Sequence, residues 1–163
     1  MKVTNENLLA TVQRLADKDE ITQVLFDYAH HLDHNEPKAL VALFIPDCHI
    51  SYGGEHGADG AEAYLATLEH EKFGIGGFFA GTSHHVSNVV IAFTDDDTAT
   101  VRSQVYAWHR YNRERPDGIV MGQYHDVFVR TPEGWKIARR ELKHVGTENY
   151  HAKGDALNPI PRV

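Results

Sequence analysis

Residues 81–93, GTSHHVSNVVIAF, decide the fold. Val, Ile and Phe recur there as they do in a β-strand, and successive strand side chains point to opposite faces. The adjacent His84 and His85 must therefore separate, one toward whatever the sheet encloses and the other away from it. An imidazole on the inner face of a sheet calls for a chemical reason.

Working outward, three more strands follow at residues 98–112, 119–131 and 135–147. They are joined by TDDD, RERPDG and PEG, turns rich in Asp, Pro and Gly that suit antiparallel connections. Upstream the pattern is helical. Asp17 stands three residues before Glu20, as at a capping box, and Ile21, Leu25, Tyr28 and Leu32 recur at helical spacing. Residues 5–15, with Leu8, Leu9, Val12 and Leu15, are expected to form an earlier helix or turn packed on that one. Pro37 suits the first position of a short helix that Pro46 ends, CHISYGG reads as a strand, and residues 60–74 read as a third helix with Tyr64, Leu65 and Leu68 inward. GIGGFFAG reads as a mobile loop. Helices first and an antiparallel meander afterwards make one α+β domain with its core at about residues 15–147 and a tail from 148 to 163, the sheet curling around the helices.

Composition fits this picture. The chain has 163 residues, 42% hydrophobic and 24% charged, enough for a core that needs neither disulfide nor metal. A net charge of −7 without a basic block argues against nucleic acid, and the longest apolar runs are too short for a membrane span. The opening MKVTNENLLATVQ lacks the apolar block of a signal peptide and Cys48 has no second cysteine to pair with, so the cytoplasm is the expected compartment. Twelve histidines is the unusual number. On the third long strand one face carries Tyr124, Asp126, Phe128 and Arg130, a mixture of rings, acid and base suited to a ligand pocket; the plainer alternative is a solvated outer face.

Three segments together, DEITQVLFDYAHHLDHNEPKALVALFIPD, SHHVSNVVI and YHDVFVRTPEGWKIARRELKHVG, resemble the SnoaL-like branch of the nuclear transport factor 2-like superfamily. That resemblance implies a cone-shaped α+β barrel, helices packed into a strongly curved mixed or antiparallel sheet around a cavity. The branch includes scytalone dehydratase, bile acid 7α-dehydratase and hexachlorocyclohexane dehydrochlorinase, in which a His/Asp pair removes a proton beside a leaving group. The residues matching their site pattern are Asp33, His84, Arg130 and Tyr28. The departures are His85 beside His84, and His30, His31 and His34 near the acid, which leave the choice of imidazole open.

Such chemistry needs a base that titrates near neutrality, and imidazole does so unperturbed. Asp33 would orient it, Tyr28, Tyr52 or Tyr124 would donate to a developing oxyanion, and Arg130 would offset negative charge. Tyr52, Tyr124, Asp126, Phe128, Trp108 and His85 are candidate substrate contacts. The expected activity is that of a lyase or isomerase, without metal or organic cofactor, acting on a small cyclic hydrophobic or aromatic metabolite. Each residue also has a plainer reading: a strand-start His84 bonded to backbone, an Asp33 turn with Asn35, an exposed Arg130 ion pair with Asp126, a Tyr28 that only packs. His30 and His34 share a helical face, but the Glu of the zincin motif is missing, which disfavours a metal. Two other classes stay open: a non-catalytic β subunit of an aromatic-ring hydroxylase, which shares the fold, and a binding protein for a hydrophobic ligand. The resemblance further implies a homo-oligomer, dimer or trimer, for which Val105, Ala107, Met121, Val127 and Val129 are candidate surface residues. The tail has three open roles: capping the cavity mouth, crossing to a neighbour, or disorder.

Overall fold

A computed structural model describes residues 3–54 and 56–151. The chain runs α1 (Leu8–Asp33), α2 (Pro37–Val41), β1 (Phe44–Gly53), β2 (His56–Asp59), α3 (Ala61–Leu68), α4 (Ile75–Phe78), β3 (Phe79–Phe93), β4 (Thr98–Tyr111), β5 (Gly118–Thr131) and β6 (Gly134–Glu148). The six strands form one sheet in the order β2-β1-β6-β5-β4-β3. All neighbours are antiparallel except β1 and β6, which run parallel. The sheet is curved without closing on itself, and the helices pack on its concave side. Among the described residues no helix is long and apolar enough to cross a membrane.

The curvature has local causes. Pairing of β3 with β4 slips between Ser87 and Val90, where Asn88 takes a positive φ of 52°. A bulge of this kind bends a strand and shifts its alternation by one residue. Before it Val86 packs against the core, and after it Val89, Ile91 and Phe93 do. The parity change keeps apolar side chains inside along a strand of 15 residues. A second slip, between Val127 and Phe128, bends β5 against β6.

The expected capping box at Asp17 is absent, because α1 is a single helix of 26 residues that passes straight through it. Asp17 is buried and accepts from Gln13 Nε2 and from the indole Nε1 of Trp135, while Glu20 accepts from the Trp135 backbone N–H. Both carboxylates thus anchor the start of β6 to the helix. The first two turns of α1 do not pack as expected: Leu9 is 85% exposed and Leu15 61%. Pro46 does not end a helix. It lies within β1, inside the interruption of β1–β6 pairing between Phe44 and His49, where its missing N–H costs no ladder bond. GIGGFFAG is not a loop; it holds α4 and the start of β3. The tail beyond His151 lies outside the described residues.

Arg130 belongs to this anchor. Its guanidinium pairs with Asp17 at 2.9 Å and Asp97 at 3.0 Å and lies 4.6 Å from the Trp135 ring centre. Replacing Asp17 by Ala strips the indole N–H and one side of the guanidinium of their partner. Asp17→Ala is expected to lose about 2 to 4 kcal/mol of stability in denaturant unfolding; a loss under about 0.5 kcal/mol would contradict the anchoring role.

Candidate active site

A cavity of about 560 Å³ opens between the concave face of the sheet and helices α1, α3 and α4. Its walls are mostly apolar, with Leu32, Leu68, Ile75, Val105, Val120 and Leu142 among them. Size and lining are those of a small-molecule site.

Asp33 is the last residue of α1 and meets β3 there. One carboxylate oxygen lies 2.6 Å from His84 Nδ1 and accepts from Thr82 Oγ1 at 2.8 Å, while the other accepts from the His84 backbone N–H at 2.8 Å. Burial works against the charge of Asp33, yet the side-chain and backbone bonds from His84, with that from Thr82, outweigh it and hold the carboxyl below its ordinary range. The His84 side chain is 7% exposed and lines the cavity. With Nδ1 committed to Asp33, Nε2 is the nitrogen left for the cavity. His85 points outward, as strand alternation requires, and takes Ser83 Oγ as a partner at 3.2 Å. It touches neither Asp33 nor the cavity.

Across the cavity stand three phenols. Tyr28 Oη is 2.6 Å from Tyr52 Oη and 3.3 Å from Tyr64 Oη, and Tyr52 and Tyr64 are 2.5 Å apart. Tyr124 packs edge-on against Tyr28. Burial raises the pKa of Tyr52, Tyr64 and Tyr124 well above the ordinary phenol value, so these groups stay protonated.

Besides His85, three candidate contacts and the catalytic candidate Arg130 do not reach this space. Asp126 is sealed beneath Tyr124 in a bidentate pair with Arg140. Phe128 is 0% exposed in solid core. Arg130 continues the same strand away from the cavity to the α1 anchor. Trp108 lies on the outer face, its indole bonded to Asp117 at 3.2 Å. The outward-facing surface expected from Val105 and Ala107 also needs correction. Both line the cavity, because β4 presents its odd-numbered residues inward, opposite Gly122 and Val120. Met121 is exposed on the outer side, with Val127 and Val129 partly so.

That same parity delivers a residue absent from the sequence reading. His109 lies two residues beyond Ala107, lines the cavity, and meets the His84 ring edge-on at 5.4 Å. Its Nδ1 is buried with no hydrogen-bond partner among the described residues. Burial, reinforced by the imidazoles of His84 and His151, pushes its pKa down to about 4. The alternation of β4 was the available signal, once Val105 and Ala107 are set inside. Tyr64 was expected inward but not as a polar group of the site. Beyond β6, Tyr150 and His151 also line the cavity, with His151 set against Phe78, Phe79 and Tyr111.

The histidines ending α1 stay outside. His31 Nδ1 bonds Glu36 at 2.6 Å, and the rings of His30 and His34 stack at 4.1 Å. His30, His31 and Glu36 hold possible ligand atoms within 4.8 Å of one another, but two of the three are exposed and none lines the cavity.

Residues 13–141 match the family model of the SnoaL-like domain. The uncharacterised protein Rv2910c of Mycobacterium tuberculosis is 31% identical over 133 residues, 81% of this chain and 88% of that one. Among solved structures, a proposed scytalone dehydratase from Novosphingobium aromaticivorans is 49% identical, with a TM-score of 0.87 over 94% of this chain and 99% of that one. The hexachlorocyclohexane dehydrochlorinase LinA-type3 of Novosphingobium barchaimii is 14% identical, with a TM-score of 0.76 over 93% and 99% of the two chains, a likeness of fold.

His109 gives a test of the site's electrostatics. In the unfolded chain an imidazole titrates near 6.5. Between that value and about 4 the unfolded state binds more protons than the folded one, so stability rises with pH across this window. His109's contribution is complete above pH ~6.5 and lost as pH falls toward 4. His109→Phe is expected to flatten the stability profile between those limits, in part only, because His151 is also pushed down to about 4. A ¹⁵N NMR titration of the His109 ring should show it neutral at pH ~5, and a midpoint near 6.5 would contradict the burial argument.

Proposed function

The chain belongs to the SnoaL-like domain family, and we propose that it is a cofactor-independent lyase or isomerase of the dehydratase type, acting on a small, cyclic, largely apolar substrate. The observation that carries this reading is the 2.6 Å contact between Asp33 and His84 Nδ1 at the wall of an apolar cavity. Nε2 of His84 takes a proton from carbon beside a carbonyl or a leaving group. Asp33 keeps the proton on Nδ1 beforehand and stabilises the imidazolium afterwards. The electron pair left on carbon forms the new double bond as the hydroxyl leaves. The proton on Nε2 follows that hydroxyl, and water is the second product. In an isomerisation the same proton returns to a different carbon.

The tyrosine hydroxyls supply what the elimination needs on the other side. Protonated phenols donate to the oxygen that gains charge as the C–H bond breaks. His109, a neutral imidazole edge-on to His84, is suited to bind the leaving hydroxyl or hold the substrate without competing for the proton. The 49% identity to a proposed scytalone dehydratase favours loss of water as the reaction. A proposed aromatic ring hydroxylase from Novosphingobium aromaticivorans also has this fold, at 20% identity, and a non-catalytic subunit has no use for a part-buried His–Asp contact in a cavity.

Deuterium exchange tests the proton transfer without knowledge of the true substrate. A panel of cyclic ketones and hydroxyketones is incubated with protein in D₂O, and label at the carbon next to the carbonyl is read by NMR or mass spectrometry. Exchange is expected with wild type, reduced on the order of 10²-fold or more in His84→Ala, and reduced substantially in Asp33→Asn, with folding intact in both. Exchange that survives in His84→Ala would rule out the assigned base.

A further inference from the structure

The histidines that end α1 take no part in the proposed reaction, and the way the helix stops sets them beside an acid. The Asn35 N–H bonds the Leu32 carbonyl at 3.2 Å and the Glu36 N–H bonds the His31 carbonyl at 2.9 Å. Asn35 takes a positive φ of 54°, which Asn tolerates better than most side chains. These are the two bonds and the left-handed residue of a Schellman motif, which folds the second residue past the cap back over the last turn of the helix. The positions that meet in such a motif commonly carry apolar side chains. Here they carry Glu36 on one side and His30 and His31 on the other. His31 Nδ1 lies 2.6 Å from a Glu36 carboxylate oxygen. Pro37 follows in the first turn of α2 and restricts the backbone on the far side of Glu36. The His30 ring meets that of His31 edge-on at 5.5 Å and stacks on that of His34 at 4.1 Å. His34 Nδ1 is bonded to the His30 carbonyl at 2.8 Å, so the ring that backs His30 is itself held. His30, His31 and Glu36 each offer a ligand atom, all within 4.8 Å of one another.

We propose that His30, His31 and Glu36 form a surface site for a late first-row divalent cation such as zinc, which clasps the end of α1 to the start of α2. Two imidazoles and a glutamate, with water in the fourth place, are a tetrahedral donor set that suits zinc. Mg²⁺ and Ca²⁺ take oxygen ligands, and the two nitrogens select against them. The cation takes the place of the hydrogen between His31 Nδ1 and Glu36, and the neutral ring then carries its proton on Nε2. The helix favours this charge, because its last carbonyls form the negative end of the macrodipole. By the same rule an acid such as Glu36 is unfavourable at this end, and a shared cation offsets it. Helical spacing alone pairs His30 with His34; the ligand that completes the set comes from beyond the helix, where the turn delivers it. None of the three residues lines the cavity, so the site stands apart from the lyase reading.

The test uses the full chain without a histidine tag, stripped of metal by a chelator and titrated with Zn²⁺ in competition with a chromophoric chelator. One zinc per chain is expected to bind with a dissociation constant of about 10 µM or lower, and a large excess of Mg²⁺ should not compete. His30→Gln, His31→Gln and Glu36→Gln should each weaken binding at least ~10-fold. His49→Gln is the control: it removes another imidazole bonded to a carboxylate, that of Asp59, and should leave the affinity unchanged. In ¹⁵N NMR spectra zinc should move the ring nitrogens of His30 and His31 and leave those of His84 and His109, which line the cavity, in place. Zinc should also slow hydrogen exchange at the Asn35 and Glu36 amides, whose bonds close the turn. The ring shifts and the exchange are read on wild type, so they decide the matter if a variant does not fold. Weaker binding in wild type, displacement by Mg²⁺, or an affinity unchanged in any of the three variants would overturn the site. So would an equal loss in His49→Gln, which would make the metal a general surface binder, or shifts at His84 and His109, which would put it in the cavity. Unchanged exchange at the two amides would overturn the clasp.

Discussion

The carboxylate of Asp33 holds the molecule's working parts together. It ends the long first helix and accepts three hydrogen bonds from β3, two of them spanning 51 residues of chain and one spanning 49. One of the three comes from backbone, so the contact fixes where the strand passes as well as how one imidazole is turned. The charge survives burial because those donors replace the water it gave up. Helix, sheet and imidazole are thus set by one group. The orientation of the His84 ring is consequently tied to the docking of α1 on the sheet.

Burial then sorts the remaining polar side chains by protonation state. His109 and His151 are kept neutral, Tyr52, Tyr64 and Tyr124 are kept protonated, Asp33 is held charged by its donors, and Asp126, whose pKa burial raises, is paired with Arg140. Burial tends to strip charge from Arg140, but Asp126 and the neighbouring tyrosines more than reverse this and hold its pKa well above the ordinary value. The chamber therefore holds one imidazole with an acid attached, further imidazoles such as His109 and His151 without one, and a wall of donors. His84 and His109, with ring centres 5.4 Å apart, differ in this: one is bonded to a carboxylate and the other is not.

Much of this was legible in the residues. The four long strands begin and end within a few positions of where alternation and turn residues put them, because Asp, Pro and Gly turns are local signals. The meeting of Asp33 with His84 was legible only through resemblance, since nothing local ties residues so far apart. Arg130 was misassigned for a physical reason: four alternate residues of β5 do share a face, but a strand is longer than a cavity. Tyr124 reaches the opening, Asp126 and Phe128 lie beneath solid packing, and Arg130 emerges at the far end against Asp17. Face is a period-two property; depth along the strand depends on where the helices cover it. His109 was hidden by the same limit, because the parity of β4 depends on a register with β5 that pattern alone did not set. The bulge at Asn88 shows how easily such parity is lost.

The polar groups of the chamber wall differ in how far the protein itself satisfies them. Tyr28, Tyr52 and Tyr64 bond one another, and Asp33 accepts from three donors of the protein. His109 Nδ1 differs, being buried with no partner found among the described residues. An unmet polar group of this kind costs about 1 to 3 kcal/mol. A ligand group that bonds it recovers that cost, whereas one that displaces a tyrosine–tyrosine bond only exchanges equals. Orientation of a ligand in the cavity should therefore be set at the histidine end.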